Sequence, residues 1–347
     1  MKPLLLAVSV VPLAIAQQPT EIAPRDVTLV VYDSFPSEGT HVDALERFSE
    51  ETGIDVELLV AGDTGTMVAK AVLTAGNPEG DVMWGVDNTY LSRVLDEGVF
   101  DPYEADGLDN IGAELQALVP RNEATPVDFG DVCVNYDIAW FEENGIEPPD
   151  DLDSLAAPEY ADLLVVQNPA SSSPGLAFLM ATVAEFGDDG WIEYWERLVD
   201  NGVEIVDGWT EAYYERFSGT GDGPRPLVIS YGTSPPVEVI YADPPVDEAS
   251  TAVVVETCFR QVEFTGVLNG TDAPDEARRL VDFLISEEFQ AEIALNLFVY
   301  PAHGGIELPT EFTDFSVVAE DPYSLDPGAI DEHREDWIDT WTDTVLR

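Results

Sequence analysis

The sequence predicts an α/β protein of two parallel-sheet lobes joined by two hinge crossings. Three observations carry this. Apolar runs and amphipathic stretches alternate in βαβαβ order over residues 27–98, the pattern of a parallel sheet with helical crossovers. A second alternating unit begins near residue 163. Two strand-like segments, 126–136 and 259–268, carry the chain out of the first unit and back. One lobe is therefore expected at residues 27–130 with 262–347, and the other at 131–261. A cleft between lobes with two connections suits hinge closure around a ligand.

Residues 27–32 are a continuous apolar run that Asp33-Ser34-Phe35-Pro36-Ser37 ends with polar and turn residues. Thr40 caps a helix over 41–51, with Val42, Leu45 and Phe48 at helical spacing, and Gly53 stops it. A strand over 54–60, a helix over 66–75 and a strand over 82–86 follow, and Asp87-Asn88 opens a further helix that ends before Gly98. In the second unit a strand at 163–166 runs into a Ser-rich turn. There Ser173 has the character of an N-cap and Pro174 of a first helical residue. Helices over 176–186 and 191–199 and a strand over 203–206 lead to a helix at 211–217 and a strand at 226–230. Thr233-Ser234-Pro235 is another helix start, 253–255 and 259–268 are strands, and 274–286, 288–297 and 331–346 are helices, the last with Trp337 and Trp341.

The chain has 14 Lys and Arg against 69 Asp and Glu, a net charge of −55. That excludes nucleic acid and anionic membrane surfaces as partners, since both are negative. Charged residues make up only 24% of the chain and hydrophobic residues 45%, so this is not an acidic disordered chain. Acid spread along the whole length with almost no Lys suits a surface bathed in screening salt and points to a halophilic source. Residues 1–16 read as a secretory signal peptide: Lys2, an apolar run over 4–15 and Ala14-Ile15-Ala16 before the cut. The protein is thus expected to be exported and to act outside the cell or at its surface. Export permits a disulfide between the two cysteines, Cys133 and Cys258, the other reading being two buried free thiols. Both lie in or beside the expected crossings, where a bond would tie the two together.

Four strand ends feed helix starts: Asp33-Ser34, Asp87-Asn88, Ser172-Ser173-Pro174 and Thr233-Ser234-Pro235. Helix N-termini bind anions without Lys or Arg. Trp209, Tyr213, Tyr231, Phe298 and Tyr300 offer flat faces to a ring, and a cationic ring would gain cation–π attraction. Asp33, Asp87 and Asp128 can balance positive charge or accept ring N–H groups; plain helix capping is the other reading of each. No Gly-x-Gly-x-x-Gly or Gly-Lys-Ser/Thr loop signals a nucleotide cofactor, and no nucleophile elbow or His-Glu-x-x-His motif signals a hydrolase. No cofactor and no catalytic role are expected.

Several stretches, in order, resemble the thiamine-binding substrate-binding proteins of ABC transporters: VYDSF at 31–35, GVDN at 85–88, PVDFGDVCVNYD at 126–137, QNPASSSPGLAFL at 167–179, DGWTEAYYERF at 207–217, SYGTSPP at 230–236 and FQAEIALNLFVYP at 289–301. The resemblance spans essentially the whole chain after the leader, and a haloarchaeal member fits the composition. It implies the type II periplasmic binding-protein fold. It also implies a ligand that is thiamine, thiamine monophosphate or thiamine diphosphate, a membrane permease as partner, and a monomer. By position it picks Asp33, Asp87, Ser172, Ser173, Trp209, Tyr213, Tyr231, Ser234, Phe298 and Tyr300, with the helix-start serines near phosphate. Ser34, Phe35, Asn88, Asp128, Gly175 and Thr233, in or beside the same motifs, complete the candidate set. Phe298 departs from better-known bacterial members, which have Trp. Two rivals stand beside this reading. One is a ferric-ion binder of the same fold using Tyr213 and Tyr214, although neighbours on an α-helix point about 100° apart. The other is an exported hydrolase.

The charge balance makes a measurable prediction. Self-repulsion among acidic groups should weaken the fold at low ionic strength. The melting temperature is expected to climb between dilute buffer and molar KCl; a flat profile would remove the high-salt reading.

Overall fold

The computed structural model describes residues 25–347, the side chains of 188 and 189 excepted; the leader assigned to residues 1–16 lies outside the described residues. The first strand, β1 (Val27–Val31), is apolar and largely β-branched, as a strand covered on both faces must be. Helix α1 (Thr40–Thr52) buries His41, Ala44, Leu45 and Phe48 on one face and stops at Gly53, whose left-handed backbone (φ 72°) returns its N–H to the Ser49 carbonyl. Strand β2 (Val56–Val60), helix α2 (Thr64–Leu73), strand β3 (Val82–Asp87) and helix α3 (Leu91–Asp96) complete a unit in which β1 lies between β2 and β3, parallel to both. Helix α3 starts three residues beyond the expected Asn88, because Asp87 still belongs to the strand.

After a short strand β4 (Phe100–Asp101) and a helical turn α4 (Ala113–Gln116), the chain enters β5 (Thr125–Asp137). Asp137 ends that strand and caps helix α5 (Ile138–Asn144) by accepting from the Trp140 N–H. Turn α6 (Leu152–Leu155), strand β6 (Leu164–Gln167), helix α7 (Ser173–Asp200) and strand β7 (Glu204–Val206) follow. The two helices expected at 176–186 and 191–199 are the two arms of α7, separated by the non-helical Gly187 (φ 69°). Then come a π-helical turn at Glu211–Arg216, strand β8 (Leu227–Tyr231), helix α8 (Ser234–Ile240) and strand β9 (Thr251–Leu268). The return strand is thus longer than the expected 259–268 and absorbs 253–255. Helices α9 (Pro274–Leu284), α10 (Glu287–Gln290) and α11 (Ile293–Asn296), strand β10 (Tyr300–Pro301) and helix α12 (Thr310–Phe315) lead to α13 (Pro327–Val345). Asp326 caps α13, which therefore begins four residues before the expected start. It packs on both α3 and α7: Trp341 meets Trp195 edge to face, and Arg334 lies over Tyr90 and donates to the Thr89 carbonyl.

All these strands join one sheet in the order β2-β1-β3-β9-β5-β8-β6-β7, with β4 on β9 and β10 on β5. The expected separate parallel sheets are the two outer parts of it. The middle is antiparallel, because β5 and β9 pair from Thr125↔Thr265 to Asp137↔Thr251. The late part of β9 pairs with β3 and the late part of β5 with β8, so each long strand joins one outer part to the central ladder. Between Val132↔Phe259 and Val134↔Val254 the register shifts, leaving Cys133 against residues 255–258. Thr257 closes this bulge: its hydroxyl accepts the Val134 N–H at 2.9 Å and donates to the Val254 carbonyl at 2.6 Å. Cys133 and Cys258 are joined by a disulfide at the same place, with Cα atoms 4.2 Å apart.

That bond links residues 125 apart in sequence. Closing so long a loop in the unfolded chain is worth up to about 5 kcal/mol in the entropic limit. Reduction, or the Cys133→Ala/Cys258→Ala pair, is expected to lower the melting temperature clearly; scanning calorimetry with and without reductant that gives superimposable transitions would refute this.

Candidate ligand-binding cleft

The ends of β1 and β8, the interior of β9 at Glu263 and the starts of α2, α7 and α8 converge on a cavity of about 240 Å³. One wall is aromatic. Trp209 and Tyr213 stack with ring centroids 4.9 Å apart and planes 13° from parallel, and Tyr214 meets both edge-on. The wall is fixed from behind. The Trp209 indole N–H donates to Ser230 Oγ at 2.9 Å, Ser230 shares a hydrogen bond with Ser234, and the Tyr213 hydroxyl donates to Glu238 at 3.1 Å. Tyr213 is 1% exposed and Tyr214 49%. Both nevertheless line the cavity. Neighbours on an α-helix would diverge, but this turn is π-helical, a distortion that recurs at functional sites. Phe298 adds a further ring to the lining from a left-handed backbone (φ 58°), uncommon for a bulky residue.

The floor is acidic. Asp87 on β3, Glu263 on β9 and Asp128 on β5 are register partners on adjacent strands and form one row of carboxylates. Glu263 lines the cavity, is 8% exposed and has Oε2 without a partner. Asp128 is 1% exposed and neither of its carboxylate oxygens has a partner. Burial raises both carboxyls well above the usual range, and the negative neighbours in the row add to it. Burial also lifts Asp87, to about 6, against the hydroxyl and amide of Thr89 that stabilise its charge. At the cavity edge Asp63 is pushed up to about 7, by burial first and then by Asp33. Burial, with Glu263 next in size, raises the phenols of Tyr32 and Tyr231 as well.

Of the candidate residues, Asp33, Ser34, Ser172, Ser173, Trp209, Tyr213, Tyr231, Ser234 and Phe298 line the cavity. The others do not. Phe35 is core, edge-on to Tyr32, His41 and Trp84. Asp87 lies behind Ser173, whose hydroxyl donates to it and accepts from Gln261. Asn88 clamps β9, donating to the Arg260 carbonyl and accepting from the Val262 N–H. Asp128 belongs to the buried row. Gly175 lets α7 pack on β6, since a Cβ there would fall 2.4 Å from the Gln167 carbonyl oxygen. Thr233 is fully buried, and Tyr300 stacks on Phe129 and bonds Ser316. Helix α7 begins at Ser173 with Ser172 at the cap position, and neither hydroxyl caps it; that of Ser172 is buried without a partner.

Tyr32, Asp63, Thr64, Glu263 and Asn296 line the cavity without having been singled out, and so does Tyr214, named above only for the iron alternative. Glu263 carried a signal: it is a charge among apolar neighbours in the part of β9, residues 261–268, that is buried throughout. Asp63 looked like any acid before a helix. Among the described residues no Arg, Lys or His lines the cavity. Backbone and side-chain contacts bridge the elements that flank it. The Gly65 N–H donates to the Ser171 carbonyl at 3.1 Å, and the Tyr241 hydroxyl to the Leu295 carbonyl at 2.8 Å. A Cβ on Gly65 would sit 2.8 Å from the Ala170 carbonyl oxygen. Flat rings beside unpartnered carboxylates make a site for a planar cation. Among the described residues no group of three or more His, Cys, Asp or Glu is arranged to hold a metal ion.

Comparison with known proteins agrees with this architecture. The thiamine-binding periplasmic protein of Escherichia coli (strain K12) is 25% identical over 323 residues, covering 92% of this chain and 94% of the relative. A solved periplasmic thiamin binding protein superposes with a TM-score of 0.81 at 24% identity, over 94% of this chain and 100% of the other. A ferric binding protein from Campylobacter jejuni does so with a TM-score of 0.73 at 15% identity, over 92% and 99%. The fold is the two-lobed type II periplasmic binding-protein fold. Residues 80–317 match the model of the bacterial extracellular solute-binding proteins, and the chain belongs to that family.

Proposed function

We propose that this solute-binding protein captures thiamine in the cleft and delivers it to the permease of an ABC importer. The observation that carries the reading is the pairing of a stacked aromatic wall with Glu263, the cavity-lining member of a buried carboxylate row, where no basic residue lines the cavity among the described residues. Thiamine is a flat pyrimidine joined to a flat, permanently cationic thiazolium, and those two surfaces answer its two properties. The printed names of the relatives support the same ligand. In this reading residues 27–130 with 262–347 form one lobe and 131–261 the other, β5 and β9 are the hinge, and the protein works as an exported monomer. Thiamine titration of the mature chain by calorimetry tests the proposal directly, and a folded protein that takes up no heat-detectable thiamine would end it.

One observation favours iron: Tyr213 and Tyr214 both reach the cavity. Iron needs phenolates, however. Burial pushes both phenols up, and the Tyr213 hydroxyl is already donating to Glu238. A ferric titration is expected to give no phenolate charge-transfer band.

Two predictions follow from the walls and the floor. Trp209→Ala should weaken thiamine binding by about 1–3 kcal/mol through lost stacking and cation–π attraction, with the fold intact by circular dichroism. Unchanged affinity in the folded variant would make Trp209 packing only. The second concerns pH. Asp63 has its pKa raised to about 7, and a bound cation favours its charged form. Below that value a proton must leave before the cation gains the charge, so affinity should fall as pH drops from about 8 to about 5.5. Asp63→Asn should make the profile shallower, Glu263 and Asp128 carrying the rest; an equally steep profile in that variant would take Asp63 out of the dependence.

A further inference from the structure

The Phe298 ring is held in the cavity wall by a residue that does not itself line the cavity. Helix α11 is four residues long and closes with the Leu297 N–H donating to the Ile293 carbonyl at 2.8 Å. On one side it is fixed to α1: Asn296 donates to the Thr40 hydroxyl at 2.9 Å and accepts the Thr40 N–H at 3.2 Å. Phe298 follows in the left-handed position (φ 58°) that a helix end ordinarily gives to Gly. A bulky residue keeps such a backbone only where its surroundings hold it there.

Tyr241, the residue that ends α8, meets this helix end twice. Its hydroxyl donates to the Leu295 carbonyl at 2.8 Å, one of the carbonyls that a helix end leaves without an intrahelical partner. Its ring meets the Phe298 ring edge to face, with centroids 5.7 Å apart and planes at 84°. Residues 296–299 line the cavity, and so do Ser234 and Val237 on α8. Tyr241 sits one turn beyond Val237, whose carbonyl accepts its N–H at 3.1 Å. The ring of Tyr241 is 60% exposed, so it adds little to the core. Ile240 beside it packs against the cluster of Ala294, Tyr300 and Phe312, which keeps the end of α8 docked whatever stands at 241.

We propose that Tyr241 is a positioning residue for the ligand: it clasps the end of α11 and so fixes the Phe298 ring as a preorganised face of the cavity. This rests on the thiamine reading and deepens it, since a flat cationic ring gains most from a face already in place when it arrives.

Two measurements on the mature chain test the clasp. Hydrogen exchange followed by mass spectrometry, without ligand, reads it alone: Tyr241→Ala is expected to speed exchange across residues 295–300 and to leave β1 unchanged. Thiamine titration reads its consequence. Tyr241→Ala is expected to weaken binding about tenfold, the weight of one carbonyl hydrogen bond with one edge-to-face pair, and Tyr241→Phe, which keeps the ring, about threefold. Because Tyr241 acts through Phe298, adding Tyr241→Ala to Phe298→Ala should cost no more than about a further twofold, whereas its effect should multiply with that of Trp209→Ala. Unchanged exchange or unchanged affinity in the folded Tyr241→Ala protein would overturn the proposal, as would effects at 241 and 298 that multiply independently. A wild-type chain that takes up no thiamine would remove the thiamine reading, and the exchange measurement would still decide the clasp.

Discussion

The antiparallel pairing of β5 with β9 is the constraint on which the rest of the molecule depends. These two strands are the longest in the chain and lie side by side at the centre of the sheet. Each pairs with the other along one edge and, over its late part, with one set of parallel strands along the other edge, β9 with β3 and β5 with β8. Because the ladder is continuous, the outer parts cannot be separated without breaking central hydrogen bonds. Motion between them must instead be a bend or twist of two strands. The places where the ladder is irregular, near Val127 and again at Cys133, are where a bend costs least. The second of these is secured by the Thr257 hydroxyl and the disulfide. A further tie lies nearby, where Asp131 pairs with Arg260 and accepts the Ala319 N–H.

The same pairing builds the floor of the cleft. A register that sets Asp87 and Asp128 against Glu263 concentrates three buried acids at one place in the sheet. The linkage sign follows from the raised pKa values of Asp128 and Glu263. Their folded carboxyls hold protons that the unfolded chain has already released, so this contribution to stability is present in acid and is lost as pH rises through the folded values. An arrangement that weakens the empty protein near neutrality is understandable where a cation replaces the protons.

Much of this was legible in the sequence. Apolar runs bounded by Gly, Asp and Pro located nearly every strand and helix, because burial on both faces leaves continuous apolar stretches in a parallel strand. The joining of 253–255 and 259–268 into one strand was not legible, because residues 255–258 bulge out and break the alternation. The aromatic wall was found from Trp209 and Tyr213, but Tyr214 was set aside on α-helical geometry that a π-turn does not obey. Phe35, Asn88, Gly175 and Tyr300 show the reverse: they sit within the matched motifs because the fold needs them to pack, clamp or turn. Spacing along a chain does not distinguish a side chain that faces the cleft from one that supports the wall behind it.

The last helix touches both sides of the molecule from behind the cleft. At one end Arg334 is buried, spread over the Tyr90 ring and bonded to the Thr89 carbonyl, next to the strand that ends in Asp87. At the other end the contact with α7 is apolar, Trp341 against Trp195. Trp341 and Trp195 are both fully buried, so this end is packed as closely as the core itself. Helix α13 is therefore a strap that ties α3 to α7, and the tail of the chain, remote from the cavity lining, adds buried contacts to both.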